Sequence, residues 1–278
     1  MKYIDATKGS IVSIFLFTPI VLSIHGVGST PIIETMLTIS TFLFAILAGF
    51  YISRLNSRYS DIRELVSNED AYFYALFKTA KVFGKTFSEK IANAVEAYYI
   101  ISFESNLNNY YKSTAPSLVE IYNILYEIKE KSNDSTYAGL FSLLSSIETA
   151  RNKNSVIAKE TITKSQWIVL FALVMIILFC LFYINTNQLF FQFLVVIMSA
   201  MLILILLTLR DLQNLRLGGT LMPVLESGQE VLESMGKLRY YNQNLIDKKV
   251  MKIPKDIKKY RLGLHHPGEK TRIEIVEK

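Results

Sequence analysis

The sequence predicts an all-α membrane protein with four transmembrane helices in two hairpins and a cytoplasmic helical bundle. Three observations predict this fold class. Hydrophobic residues are 51% of the 278 residues and collect in two blocks, before Arg54 and over residues 167–209, whereas a soluble domain spreads them along the chain. The second block has no charged side chain between Lys164 and Arg210. The polar segment between the blocks repeats its apolar residues at intervals of three and four, as helices do.

The first block predicts a hairpin of two spans. Residues 9–24 are an uncharged run, short for a bilayer span, and a second apolar run follows over residues 32–53 after a loop at 25–31. A basic start and an apolar core are also typical of a secretory signal peptide, which is the alternative interpretation of residues 9–24. The second run has no such alternative.

The second span carries two faces of interest. Small side chains at Thr41, Ala45 and Gly49 lie four residues apart, which predicts that a neighbouring helix approaches closely along this stripe. An adjacent face of the same helix contains Phe42, Ile46, Gly49, Phe50 and Ser53.

The second block predicts the other hairpin. Residues 167–184 and 189–209 each have the length of about 20 residues that crosses a hydrocarbon core roughly 30 Å thick. Only the polar residues 185–188 lie between them, enough for a tight turn. Because lipid offers the backbone no hydrogen-bond partners, helices are the structure expected for both.

The segment between the hairpins, residues 54–166, predicts a bundle of four helices. The first continues out of the second span as far as Gly84. Capping boxes of the form Thr/Ser-x-x-Glu at residues 86–89 and 117–120 predict the starts of the next two helices. A fourth runs from about Thr136 toward the third span.

Acidic residues in this bundle alternate with Arg and Lys at helical spacing. Glu64, Glu69 and Asp70 lie on one such helix. Spacings of three and four favour ion pairs on a helix surface, so surface pairs are the prediction for these acids.

Lys and Arg are absent from both hairpin turns and flank every span on the other side. The positive-inside rule therefore predicts a multi-pass protein of the cell membrane with both termini and the middle segment cytoplasmic. The predicted divisions are a first hairpin (1–53), a cytoplasmic bundle (54–166), a second hairpin (167–209), and a cytoplasmic helix with a basic tail (210–278).

The last division predicts one helix over residues 221–246 and a basic stretch over residues 248–261. A basic tail is usually solvated, and contact with anionic lipid headgroups is the alternative. The net charge of +6 has its excess toward this end, which suits an anionic leaflet better than nucleic acid.

No set of residues proposes an enzyme. The sequence has no phosphate-binding glycine loop, no metal-spaced Cys/His cluster and no nucleophile elbow, so we expect no catalytic residues, metal or cofactor. His265 and His266 are adjacent in sequence, which makes them poor metal ligands by themselves. No charge lies inside a predicted span, which disfavours a proton-coupled carrier but leaves a channel open, with its pore on an axis between identical subunits.

Three segments carry short motifs. They are the stretch FLFAILAGFYISRLNSRYSDIRELVSNEDAYFYALFKTA, with its Glu69-Asp70-Ala71 element, the segment from Glu148 to Arg151 ahead of Trp167, and LRDLQNLRLGG after the fourth span. These motifs resemble those of the bestrophin-like membrane proteins of microbes, a family of unknown function. The resemblance covers most of residues 10–220. The family's Leu-Pro before the third span is Ile162-Thr163 here, so we expect a less kinked helix over residues 136–184. Its Pro-Phe after the Asp that follows the fourth span, here Asp211, is absent, so no role of that exit turn is carried over to this chain.

The resemblance implies likeness to bestrophins, which are pentameric anion channels with a pore lined by the second span. On this hypothesis the chain is a homo-oligomer in the bilayer that conducts small anions such as chloride. Its pore would be lined by Phe42, Ile46, Gly49, Phe50 and Ser53, with Arg54 and Arg58 attracting anions to the cytoplasmic mouth. Plain helix packing and positive-inside anchoring would explain the same residues, and a non-conducting scaffold or sensor whose cytoplasmic helices bind a partner is the alternative function.

Overall fold

The computed structural model describes residues 4–105, 109–128, 135–186, 188–217, 220–221, 226–247, 251–265 and 271–277. They form two compact units, residues 1–59 with 161–222 (unit 1) and residues 60–160 with 223–278 (unit 2). The helices in the described ranges are α1 (Ala6–Ser23), α2 (Pro31–Ala80), α3 (Lys85–Glu104), α4 (Tyr110–Tyr126), α5 (Ser135–Ala158), α6 (Lys164–Ile184), α7 (Leu189–Gln213), α8 (Glu226–Ser234) and α9 (Gln243–Asp247). The strands there are β1 (Arg216–Leu217), β2 (Thr220–Leu221), β3 (Tyr240–Asn242), β4 (Lys259–Leu264) and β5 (Arg272–Glu277).

Four helices are long and apolar enough to cross a membrane, namely α1, α2, α6 and α7. They coincide with the four spans predicted from the sequence, so the prediction of a four-helix membrane protein is confirmed. The second of them continues without interruption far past the roughly 20 residues that a bilayer needs.

In unit 1, α2 turns one stripe of side chains toward α6 and α7. Phe44, Ala48, Tyr51 and Leu55 are buried and lie four, three and four residues apart, the spacing of one helix face. They pack against Leu170, Val174 and Ile177 of α6 and Leu202, Leu206 and Leu209 of α7.

The turns of the two hairpins are bonded to each other. The amide of Gly26 donates to the carbonyl of Asn185 at 3.0 Å, and the side chain of Asn185 donates to the carbonyls of Val21 and Ile24 at 3.0 and 2.8 Å. A Cβ at Gly26 would lie 2.4 Å from the carbonyl oxygen of Tyr183, so only glycine fits this close approach of two backbones. The residue Asn187, part of the predicted turn, lies outside the described residues.

The start of α1 and the end of α7 are also joined. Asp211 accepts a hydrogen bond from the amide of Ala6 at 2.8 Å. Arg58 donates to the carbonyl of Gln213 at 2.9 Å, and the indole of Trp167 donates to the Gln213 side chain at 3.0 Å. A guanidinium beside the last carbonyls of a helix is favoured by the helix dipole.

Unit 2 buries an aromatic core between the C-terminal part of α2 and α3, α4, α5 and α8. Phe73 contacts the rings of both Tyr98 and Tyr99, with centroids 4.7 and 5.5 Å away. The fully buried aliphatic residues of this core include Leu76, Ile91, Val95, Ile121, Leu125, Leu140, Leu144 and Ile147.

The single helix predicted over residues 221–246 is wrong. Helix α8 ends at Ser234, and Gly236 follows with a φ of +77°, a left-handed conformation that ends helices. The chain then forms β3, which pairs in parallel with β4, and β4 pairs antiparallel with β5. The side chain of Gln229 on α8 accepts from the amide of Tyr240 at 2.8 Å, which fixes the start of the sheet against the helix. Of the predicted basic stretch, residues 248–250 lie outside the described residues.

Two predicted helix starts and one predicted helix also differ from the structure. Helix α3 is preceded by Gly84 with a φ of +106° and begins at Lys85, and α4 begins at Tyr110, upstream of Pro116. Neither capping box starts its helix, because glycine geometry sets the first boundary and burial of Tyr110 extends α4 upstream. Helix α5 ends at Ala158 and α6 begins at Lys164, where the side chain of Thr163 caps it, so the less kinked helix expected over residues 136–184 is wrong.

Candidate functional site

The predicted face of α2 lies on the outside of unit 1. Phe42, Ile46 and Phe50 are 64%, 53% and 60% exposed, and Gly49 and Ser53 are exposed as well. We call these five residues the α2 outer face. It lies on a different side of the helix from the buried stripe of Phe44 and its partners, so this face is open along more than two turns of α2.

The small-residue stripe is only partly covered within the chain. Thr41 is half-buried, whereas Ala45 and Gly49 are exposed, and a Cβ built on Gly49 meets nothing within 4 Å. A neighbouring helix at this stripe therefore remains a prediction about another subunit.

The two arginines of the predicted mouth have different environments. Arg54 is exposed, whereas Arg58 is only 4% exposed and its Nη1 donates to the Gln213 carbonyl. Both guanidinium groups follow the last uncharged turn of the span in α2. The Arg54 side chain is thus on the surface of unit 1, whereas the guanidinium of Arg58 is inside it.

Chemically, the α2 outer face offers two aromatic rings, one aliphatic side chain, one exposed backbone turn at Gly49 and one hydroxyl. It has no ionisable group before Arg54. Such a surface suits lipid, another subunit or a water-filled path lined by apolar rings and a hydroxyl, and it holds no acid, base or nucleophile.

Comparison with known families decides the membership of this chain. The family profile of the bestrophin-like domain matches residues 10–213, which is well over half of the sequence. This chain belongs to the bestrophin-like family. A search of curated proteins finds no match.

Solved bestrophin structures share the fold. A substituted bacterial bestrophin homologue from Klebsiella pneumoniae superimposes with a TM-score of 0.63 at 14% identity, covering 83% of this chain and 97% of that chain. A second variant of the Klebsiella pneumoniae homologue gives a TM-score of 0.63 at 15% identity, over 84% of this chain and 98% of that one. A structure described only as a membrane protein gives 0.63 at 13% identity, over 83% and 97%. The family membership and these structures support a bestrophin-type membrane protein.

The Glu69-Asp70-Ala71 element shows the largest departure from the sequence predictions. Glu69 and Asp70 are 4% and 5% exposed, so the prediction that they form surface ion pairs is wrong. The hydroxyl of Tyr98 donates to Glu69, and that of Tyr99 donates to Asp70 at 2.6 Å. The preference of tyrosine hydroxyls for buried acceptors explains why these carboxyls lie inside a helical unit.

A buried arginine and a further tyrosine complete this acid cluster. The hydroxyl of Tyr110 lies 3.3 Å from Glu69 Oε2, and the guanidinium of Arg151, 2% exposed, lies over the rings of Tyr98 and Tyr111 at 5.4 and 4.9 Å. The sequence offered two signals for this cluster, the Glu-Asp-Ala element and the adjacent Tyr98-Tyr99 pair on the next helix.

Burial determines the ionisation of the two acids. It raises the pKa of Glu69 to about 8, with hydrogen bonding from Tyr98 opposing the shift, and it raises the pKa of Asp70 to about 6 against hydrogen bonds from Ser227 and Tyr99. Burial also raises the pKa of both Tyr98 and Tyr99, so these hydroxyls stay protonated donors.

No group of three metal-ligating side chains occurs among the described residues. His265 is bonded through Nε2 to Glu104, a carboxylate that also accepts from Tyr240, and His266 lies outside the described ranges. The histidine therefore joins the sheet to α3 and is not arranged around an ion.

Proposed function

We propose that this bestrophin-like protein assembles as a homo-oligomer and conducts small anions, with the α2 outer face lining the path. The observation that carries the proposal is that all five residues of this face are exposed in a single chain. Four spans cannot comfortably enclose a pore in one copy, so a path for ions would lie on an axis between copies. The bestrophin-like membership supports the choice of α2 over the other three spans.

The composition of the α2 outer face fits such a path. Rings of Phe42, Ile46 and Phe50 would make an apolar constriction, and Ser53 would present hydroxyls beyond it. Arg54 would then raise the local concentration of anions at the mouth. In this proposal the mouth and both termini face the cytoplasm, and the membrane is the cell membrane.

Chloride flux from liposomes containing the purified protein tests the proposal. We expect flux in the wild type and an altered rate or selectivity in Phe50→Ala and Ile46→Ala, because each variant widens an apolar ring. Phe15→Ala on α1 is the matched control, since Phe15 is also an exposed aromatic residue at 73% but lies on another span.

Oligomer size distinguishes the alternatives in the same preparation. A stable ring with flux that responds to Phe50→Ala but not to Phe15→Ala supports the proposal. A folded monomer or dimer without flux would overturn it and favour a non-conducting scaffold or sensor. Equal flux in the wild type and in both α2 variants would remove this face from the path.

A further inference from the structure

The acid cluster of unit 2 buries more negative than positive charge. Glu69 and Asp70 are neighbours on α2, and both are nine-tenths or more buried. The titratable and charged groups that face them are Tyr98 and Tyr99 from α3, Tyr110 from α4, Arg151 from α5 and Glu230 from α8. Two carboxylates with one guanidinium would leave a net charge in the interior, which is costly unless one group becomes neutral.

Arg151 donates no hydrogen bond to either acid in the described residues. Its Nη2 donates to the carbonyl of Tyr111 at 2.8 Å and to the hydroxyl of Thr114 at 2.7 Å, both neutral acceptors. Its buried Nε has no partner among the described residues. The guanidinium therefore stabilises an ionised Glu69 only through space, without the bidentate bonds that make buried ion pairs favourable.

The two carboxyls differ in how their oxygens are used. Both oxygens of Asp70 accept hydroxyl donors, Oδ1 from Tyr99 and Oδ2 from Ser227 of α8. In Glu69, Oε1 accepts from Tyr98, whereas Oε2 has only the distant Tyr110 hydroxyl at 3.3 Å. Oε2 of Glu69 is thus the oxygen with room for a proton.

The hydroxyl oxygen of Tyr110 can accept a hydrogen bond from a protonated Oε2 of Glu69. Its hydroxyl oxygen lies 3.4 Å from the backbone carbonyl of Arg151, so it can accept from a protonated Glu69 and donate to that carbonyl in turn. The buried amide of Asn154 lies near the same hydroxyl, and neither of its polar atoms has a hydrogen bond among the described residues. The cluster therefore contains spare polar partners around Tyr110 and none around Asp70.

We propose that Glu69 is a proton-binding site, holding a proton on Oε2 at neutral pH and releasing it to solvent in the alkaline range. Asp70 keeps its charge at neutral pH and holds α8 through Ser227. When the proton leaves, Tyr110 turns its hydroxyl back to the carboxylate and gives up the Arg151 carbonyl. The burial that raises the pKa of Glu69 to about 8 agrees with this range. This assignment of a proton to Glu69 holds whether or not the α2 outer face conducts anions.

Infrared spectroscopy of the full-length protein tests the site directly. We expect a protonated-carboxyl stretching band at pH 7 that disappears on titration to pH 10, is absent in Glu69→Gln and persists in Asp70→Asn. Asp70→Asn is the matched control, because it neutralises the adjacent acid of the same cluster and leaves Glu69 in place. A wild-type protein without this band at pH 7, or a band lost in Asp70→Asn but kept in Glu69→Gln, overturns the proposal.

Tyr110→Phe provides a second test if Glu69→Gln does not fold. Removing the hydroxyl leaves the proton of Glu69 without its acceptor, so the band should move to higher frequency while the far-ultraviolet circular dichroism stays that of a helical protein. A band at an unchanged frequency would mean that Glu69 does not donate to Tyr110, which contradicts the proposal.

Discussion

The two parts of α2 differ in which kinds of side chain they expose and which they bury. In the part that belongs to unit 1, Phe42 and Phe50 are 64% and 60% exposed. In the part that belongs to unit 2, Glu69 and Asp70 are buried at 4% and 5% exposure. One continuous helix thus exposes two aromatic rings, Phe42 and Phe50, in unit 1 and buries two carboxyls, Glu69 and Asp70, in unit 2.

The difference follows from what surrounds each part. A membrane span is surrounded by lipid tails or by other copies of the chain, so the exposure of Phe42 in a single chain does not carry the cost that it would have on a soluble protein. In unit 2 the acids are surrounded by hydroxyl donors, and their burial is tolerated because each oxygen of Asp70 and one of Glu69 is satisfied. Exposure of apolar residues on a long apolar helix is typical of a membrane protein, whereas burial of two acids with raised pKa values makes the acid cluster a candidate site.

The largest effect expected from the buried acids of α2 is a dependence of the free energy of unfolding on pH. Glu69 has an ordinary pKa of 4.5 when unfolded and about 8 in the folded protein, so between these values folding takes up a proton and stability falls as pH rises. The expected slope is about 1.4 kcal/mol per pH unit for one such group. Below pH 4.5 and above pH 8 this contribution is constant.

Chemical denaturation in detergent, followed by circular dichroism from pH 5 to pH 9, measures that slope. Glu69→Gln should show a smaller fall than the wild type and should be the more stable protein at pH 9, because its neutral amide never ionises. Parallel curves for the two proteins would mean that Glu69 is ionised throughout, and the buried acids would then be an ordinary ion-pair cluster.

Sequence patterns predicted the part of α2 in unit 1 better than the part in unit 2. A run without charge from Thr35 to Ser53 can only satisfy its backbone as a helix in lipid, so the four spans follow from composition alone. Which side of α2 faces α6 and α7 is decided by packing, and spacing alone does not separate Phe44 from Phe42. Burial of Glu69 depends on Tyr98 and Tyr110, which come from two other helices and are distant in sequence, so local spacing predicted a surface ion pair.

A smaller effect separates the two faces of α2 in unit 1. Phe44→Ala should destabilise the folded protein by about 3 kcal/mol, the lower end of the range of Phe→Ala substitutions in a core, because it leaves a cavity against α6 and α7 while little transfer energy is lost in a bilayer. Phe42→Ala, two residues earlier and 64% exposed, should leave the stability of the single chain nearly unchanged. Thermal unfolding in detergent compares the two.

The reverse result in that pair would be informative. If Phe42→Ala proved the more destabilising and also shifted the oligomer toward monomer, the α2 outer face would be a packed interface between subunits. The apolar rings proposed for the path would then lie elsewhere on α2.

The smallest effect concerns charge at the end of the span. Arg54 is exposed and Arg58 is buried against the Gln213 carbonyl. An exposed and a buried arginine therefore lie only four residues apart on α2. Arg54→Gln should change stability by no more than about 0.5 kcal/mol but should lower chloride flux at low salt. Raising ionic strength from 0.1 M to 1 M shortens the Debye length from about 10 Å to about 3 Å, so the difference from wild type should shrink in high salt.

Arg58→Gln supplies the comparison for that experiment. Because its guanidinium bonds the end of α7, its loss should lower the unfolding temperature and should not depend on salt in the same way. A flux defect in Arg54→Gln that is equal at both salt concentrations would show that Arg54 acts through structure and not through its charge. The charge of Arg54 would then not attract anions to the proposed mouth.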